Sequence, residues 1–169
     1  ANAFTISGAI SGAYNLTKVG NGTTTLSATN TYTGTTTISG GILSINSDRA
    51  LGATIASLTA DAITLNGGAL QAAATFTLDT NRGITLTAHS GLAATSTYIL
   101  TYGGVITGGA NLTINGSSQA GTVILSGNNT YTGTTSVGAG VLSISADNNL
   151  GVISSLNASA ITLSGGGAL

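Results

Sequence analysis

Residues able to do acid, base, nucleophilic or metal chemistry are few in this chain and scattered. His89, within Thr87-Ala-His-Ser-Gly91, is the one histidine, and no carboxylate lies beside it. A general base or a metal ligand needs partners that orient it and share its proton or ion, so His89 reads as a loop histidine. The only acids are Asp48, Asp61, Asp79 and Asp147, and the only bases are Lys18, Arg49 and Arg82. Asp48 and Asp147 hold equivalent places in Ser47-Asp-Arg-Ala-Leu-Gly52 and Ala146-Asp-Asn-Asn-Leu-Gly151. At such places Asp and Asn bond their own backbone and form a turn. Five coils between them would set them ~24 Å apart, too far for an acid–base pair. Asp61 and Asp79 are isolated as well. With no cysteine, disulfides and thiolate metal sites are excluded. Four acids cannot readily build the carboxylate cluster of a polysaccharide-cleaving or calcium-binding solenoid, and Gly67-Gly-Ala-Leu-Gln71 lacks the Asp of a calcium repeat. The glycine-rich turns lack the Lys and the strand-to-helix context of a phosphate loop. Catalytic, cofactor-binding and metal-ligating residues are therefore expected to be none, and no cofactor is implied.

Two further groups invite a binding role. Tyr32 and Tyr131 could stack a ligand, but as equivalent positions of a repeat they read as packing elements. The rows Thr23-Thr-Thr, Thr35-Thr-Thr and Thr85/Thr87 could form a hydroxyl-and-methyl face such as ice-binding solenoids use. That face needs Thr-x-Thr at one place in every coil, whereas neighbouring coils are read here as carrying Ser, Ala, Asn or Gly. A solvated strand face is the simpler expectation.

The elements that carry these residues follow from composition. Charged residues make up 4% of the chain, against about 25% in an ordinary domain. Mean hydropathy is positive, yet apolar runs last only a few residues, far short of the ~20 a membrane-spanning helix needs. Disorder is excluded by the lack of Pro and Glu and the even spread of β-favouring residues. A net charge of −1 without a basic cluster argues against nucleic acid as a partner. No basic stretch followed by an apolar one marks a signal peptide within these residues.

The sequence repeats itself. Asn15-Leu-Thr recurs as Asn111-Leu-Thr, Asn30-Thr-Tyr-Thr-Gly-Thr-Thr36 as Asn129 to Thr135, Gly41-Ile-Leu-Ser-Ile45 as Gly140-Val-Leu-Ser-Ile144, and Ile63-Thr-Leu as Ile161-Thr-Leu. Copies span about 4–70 and 100–169, with 71–99 between them, and Ser118-Gln-Ala120 reads as a short insertion in the second. Inside this long period, strand-like openings at Thr23, Ile42, Ile63, Ile84, Ile106, Thr122, Val141 and Ile161 recur about every 20 residues. Period-two alternation points Leu43, Ile45, Ile63, Leu65, Ile84, Leu86, Leu142 and Ile144 inward, with Ser44, Thr64, Thr85 and Ser143 outward. Gly and Asn at Asn21-Gly22, Asn66-Gly-Gly68, Gly103-Gly104, Gly108-Gly109, Asn115-Gly116 and Gly165-Gly-Gly167 suit tight corners. A missing Pro suits strands paired on both sides. A sandwich is the rival, but regular coils favour a solenoid; propeller blades would be about twice as long. The chain is thus expected to be all-β, a single right-handed parallel β-helix segment over 1–169, with coils of about 20 residues, five to the long repeat.

The stretch Asn15-Leu-Thr-Lys-Val-Gly-Asn-Gly-Thr-Thr-Thr-Leu-Ser27, continued by Asn30-Thr-Tyr-Thr-Gly-Thr-Thr-Thr-Ile38 and Gly41-Ile-Leu-Ser-Ile45, resembles the autotransporter-associated β-strand repeat. Thr122-Val-Ile-Leu-Ser-Gly-Asn-Asn-Thr-Tyr-Thr-Gly-Thr-Thr135 resembles it again, with Ile114 where the first copy has Lys18. Such repeats occur in passenger regions of bacterial autotransporters and in very large related surface proteins. The resemblance implies a right-handed β-helix, export to the extracellular bacterial surface, outer-membrane association through a part not in this chain, and a role as stalk, spacer or adhesin passenger. It brings no catalytic residues with it. Host or surface glycans are the partners it suggests, with carbohydrate or ice binding, or a polysaccharide-active enzyme, as alternatives.

Neither end reads as a cap. Gly166-Gly-Ala-Leu169 followed by Ala1-Asn-Ala-Phe-Thr-Ile6 would parallel Gly67-Gly-Ala-Leu-Gln-Ala-Ala-Ala-Thr-Phe-Thr-Leu78. The segment is therefore expected to continue into a longer array or to self-associate head to tail into a filament with a repeat of about 40 Å. With so few charges to titrate, unfolding should show no sharp acid transition between about pH 4 and 7 when circular dichroism is followed against pH.

Overall fold

The computed structural model describes residues 2–116, 119–152, 161–164 and 166–169; Ser118 of the read insertion and Gly165 of the last glycine run lie outside them. The strands in chain order are β1 (Ala3–Ile6), β2 (Leu16–Lys18), β3 (Thr23–Leu26), β4 (Thr36–Ile38), β5 (Ile42–Ile45), β6 (Thr59–Asn66), β7 (Ala69–Ala72), β8 (Phe76–Leu78) and β9 (Arg82–Ala88). They continue with β10 (Ser90–Ala94), β11 (Ile99–Tyr102), β12 (Ile106–Gly108), β13 (Leu112–Ile114), β14 (Thr122–Leu125), β15 (Thr135–Val137), β16 (Val141–Ile144) and β17 (Ile161–Leu163). Single 3-10 turns lie at Asp48–Leu51 and Asp147–Leu150.

Every strand pairing is parallel, because each strand bonds to the same side of the next coil. The first sheet runs β1-β3-β5-β7-β10-β13-β15-β17, the second β2-β4-β6-β9-β12, and the third β8-β11-β14-β16. The chain visits the first, third and second sheets in turn, a parallel β-solenoid. One register row on the first sheet joins Ala3, Thr23, Ile42, Ala69, Gly91, Thr113, Ser136 and Thr162. The seven steps along it are coils of 19 to 27 residues. The third side is irregular in the early coils and the second side in the late ones.

Alternation sends one set of side chains into the shared interior. Leu43, Leu70, Leu92 and Ile114 stack from the first sheet, Ile63, Ile84 and Ile106 from the second, and Leu100, Val123 and Leu142 from the third, all essentially sealed from solvent. Each such burial contributes roughly 1.5–3 kcal/mol, so no coil is stable without its neighbours.

The periodicity needs one correction. All eight strand openings read from the sequence fall in strands, but not on one face. Thr23 and Ile42 belong to the first sheet, Ile63, Ile84 and Ile106 to the second, Thr122 and Val141 to the third, and Ile161 to the first. Equivalent strands of the long repeat also change sheet: β4 lies in the second and its counterpart β15 in the first, while β5 lies in the first and β16 in the third. From β4 the chain returns to the second side four times, at β6, β9, β12 and the segment before β15, and then turns one more corner. The long repeat is therefore four coils and a third, not five, and its second copy is rotated by one face. Equal spacing along the sequence could not show this, because the corner lengths vary.

Candidate functional site

The most specific sequence feature, Asn-Thr-Tyr-Thr-Gly-Thr-Thr, builds one corner, made twice. Asn30 lies sealed in the turn, where its Oδ1 accepts from the Ile10 amide at 2.8 Å and its Nδ2 donates to the Ala50 carbonyl at 2.6 Å. Ile10 belongs to the preceding coil and Ala50 to the following one, so a single amide joins three coils. Asn129 repeats this with the Ile106 amide at 2.8 Å and the Asn149 carbonyl at 2.6 Å. Asn15 and Asn111 accept the amides of Thr35 and Thr134. These segments lack regular strand pairing, and a buried backbone group left unpaired costs about 1–3 kcal/mol.

Tyr32 and Tyr131 follow as packing elements. Both rings are buried, and their hydroxyls meet Thr36 Oγ1 at 2.7 Å and Thr135 Oγ1 at 2.6 Å. Gly52 and Gly151 cross directly above these tyrosines with φ of 93° and 82°; a Cβ at either would collide with the tyrosine carbonyl beneath. Tyr102, a third buried tyrosine, donates to the carbonyls of Arg82 at 2.8 Å and Val105 at 3.2 Å. Burial raises the pKa of all three above the ordinary phenol value; for Tyr32 and Tyr131 the threonine bond opposes this.

Two charges are absorbed in the same way. Lys18 is buried, and its Nζ donates to the carbonyls of Val19, Gly20 and Gly40 at 2.8–3.0 Å. In the second copy Ile114 replaces it, and the next residue, Asn115, ties the Ala94 amide to the Gly121 carbonyl. Arg82 is 3% exposed and binds Asp48 through Nε at 2.8 Å and Nη2 at 3.2 Å. It also donates to the carbonyls of Leu51, Gly52 and Ala53. Asp48 further accepts the Asp79 amide. The sequence reading of Asp48 as a turn residue missed this pair, whose partner lies 34 residues on; a lone Arg opposite a turn in a chain so poor in charge was the available signal.

His89 is exposed, with Nε2 at 2.7 Å from Thr113 Oγ1, which in turn lies 3.0 Å from Ser136 Oγ. Among the described residues no group of three or more His, Cys, Asp or Glu side chains is gathered to hold a metal. With four and a third coils between them, Asp48 and Asp147 stand about 21 Å apart along the axis. The threonine rows differ from expectation. Thr36 points inward and Thr24 lies in the inward row, whereas Thr17, Thr37, Thr64, Thr85 and Thr107 align outward through all five strands of the second sheet. The positions beside this ladder are mixed, with Val19, Ser39, Asn66 and Thr87 on one side and Asn15 and Thr35 on the other, and the Thr85 and Thr107 hydroxyls bond one another at 3.1 Å. The ladder works as cross-strand pairing.

Replacing Asn30 or Asn129 by Ala should cost about 2–4 kcal/mol in urea unfolding, because an amide and a carbonyl lose their partner together. Asn→Asp at either place should cost a similar amount, since the donor is gone and a carboxylate is buried. The raised tyrosines give an alkaline prediction. Folding favours their neutral form, so stability is full below about pH 10 and falls as pH climbs through the raised values. Thermal unfolding measured from pH 8 to 12 should show that loss, and Tyr102→Phe should flatten it.

The passenger-associated-transport-repeat model matches residues 16–45 and 118–144, the two stretches that build these corners. Over 158 residues, 91% of the chain, the sequence is 38% identical to the adhesin BmaC autotransporter of Brucella suis biovar 1 (strain 1330). The chain spans 4% of the length of that relative. No solved structure matches. Two stretches of the chain thus match the passenger-associated-transport repeat, both on one solenoid, and nine-tenths of the chain is similar to part of an autotransporter adhesin.

Proposed function

We propose that this chain is a non-catalytic, load-carrying section of a bacterial cell-surface passenger, a stalk or spacer within an adhesin. One observation carries the reading: the buried polar side chains are spent on the chain itself. Asn30, Asn129, Lys18 and Arg82 reach from one coil to a neighbouring one, and Tyr32 and Tyr131 each bond a threonine within their own corner. A strand ladder running through seven coils, with an interior row on each face, resists shear along its axis and needs no ligand to hold its shape. Similarity to an autotransporter adhesin supports the cell surface as its place.

The chain has no cysteine, which permits a direct test in the protein as its own cell makes it. Thr64→Cys, on the outward ladder, should react with a membrane-impermeant maleimide on intact cells, while Leu65→Cys, facing inward, should not. Labelling of Thr64→Cys only after lysis would remove the surface reading. Release of reducing ends from any of a panel of polysaccharides would remove the non-catalytic one.

A further inference from the structure

The outer face of the first sheet is not flat. Two outward rows run along it, Ile42, Ala69, Gly91 and Thr113 in one, and Ser44, Gln71 and Ala93 in the other. Although it points outward, the second row is nearly sealed: Ser44 is 4%, Gln71 7% and Ala93 4% exposed. The row ends at Asn115, whose bonds to Ala94 and Gly121 fix a corner that brings Gly116 and Gln119 over the sheet. His89 and Thr113 stand on the other side. The result is a trench of about 490 Å³ lined by these residues, inside the roughly 300–1,000 Å³ range of small-ligand sites.

We propose that this trench binds a neutral oligosaccharide laid along the solenoid axis. Its floor is the Cα and Cβ surface of Ala69, Gly91 and Ala93, suited to the CH face of a sugar ring. Polar groups at its walls, the Gln71 and Gln119 amides, the His89 ring and the Thr113 hydroxyl, both donate and accept, as sugar hydroxyls require. The Gln71 side chain is the sharpest sign: it lines the trench, the residue is more than nine-tenths buried, and among the described residues nothing hydrogen-bonds to its amide. Among the described residues no charged side chain lines the trench, so an acidic or basic ligand finds no counter-charge from them. An extended peptide would need a free strand edge, but β7 is paired to β5 and β10, and β10 to β7 and β13. From β5 to β13 the trench crosses three coil spacings, about 14 Å, enough for a short chain of sugars. The proposal goes beyond the spacer reading, since it concerns binding by the isolated chain and stands or falls apart from surface labelling.

The test is calorimetric titration of the 169-residue chain with cellohexaose, maltohexaose, mannohexaose and chitohexaose, with hexagalacturonate as the charged control. At least one neutral hexasaccharide should bind with Kd below about 1 mM, and amide NMR shifts should move at Ala69, Gly91 and Thr113 and stay still at Thr37 and Thr64. Gln71→Ala should weaken binding about tenfold, and Ala69→Leu, which fills the floor, should abolish it, with Thr64→Ala unchanged. Circular dichroism and melting of each variant identify any that misfold, and Ala69→Leu and Gln71→Ala serve as checks on one another. Failure of all four neutral sugars to bind, equal binding of hexagalacturonate, or binding that survives both substitutions in folded protein would overturn the proposal.

Discussion

The structure depends on one constraint, the pairing of backbone groups where the sheets stop. Within the three sheets every coil satisfies the next through parallel ladders, but a solenoid must also turn, and at a turn the ladder has no strand to continue it. Side-chain amides reinforce the backbone bonds that remain there, such as Thr31 to Ile10 and Thr130 to Ile106. Asn30 spans from Ile10 to Ala50 and Asn129 from Ile106 to Asn149, adding a carboxamide that has one donor side and one acceptor side. A hydroxyl or a carboxylate cannot do the same in that orientation, which explains why Asn holds this position in both copies.

Scarcity of charge follows from the same constraint. A corner packed against corners above and below has little water to solvate an ion, so the charges that remain inside are those that gather several carbonyls at once. Lys18 takes three and Arg82 takes three together with Asp48. Each is more a multi-dentate cap than a salt-bridging surface group. Their neutral substitute is visible in the second copy, where Ile114 and Asn115 divide the task between apolar packing and an amide. A fold assembled this way can keep its surface almost wholly Thr, Ser, Asn and Gly.

Local pattern made the strands legible. Alternation around Thr64, Thr85 and Ser143 told which side chains go in, since a pleated strand has a fixed period of two. Tyr32 and Tyr131 were legible as packing from their repetition alone. What remained hidden was everything set by corner length. Coils range from 19 to 27 residues, so a spacing of 21 between Ile42 and Ile63 is a step to another sheet, while the same spacing between Ile63 and Ile84 is a full coil. The Asp48–Arg82 pair and the five-threonine ladder were hidden for the same reason, because register between coils is a property of the corners. Ser44 shows a further limit: alternation turned it outward correctly, yet it is buried, as are Gln71 and Ala93 beside it in the same row.

The one-face rotation between repeat copies has a consequence for how such a sequence presents itself. If the copies were a whole number of coils apart, each motif corner would lie above the last, and the same edge of the solenoid would carry all the Asn-Tyr corners. A third of a coil moves the second corner from the side between β3 and β4 to the side between β14 and β15, where the neighbouring sheets differ. The third side, irregular where the first motif lies, is a full sheet by the time the chain reaches the second. Irregular corner and regular strand therefore exchange places around the axis, and no single face is left without ladder pairing for the whole length of the solenoid. For a section that must carry load between its ends, that distribution matters more than the sequence identity of the corners, because shear concentrates wherever paired strands are absent through many coils in a row.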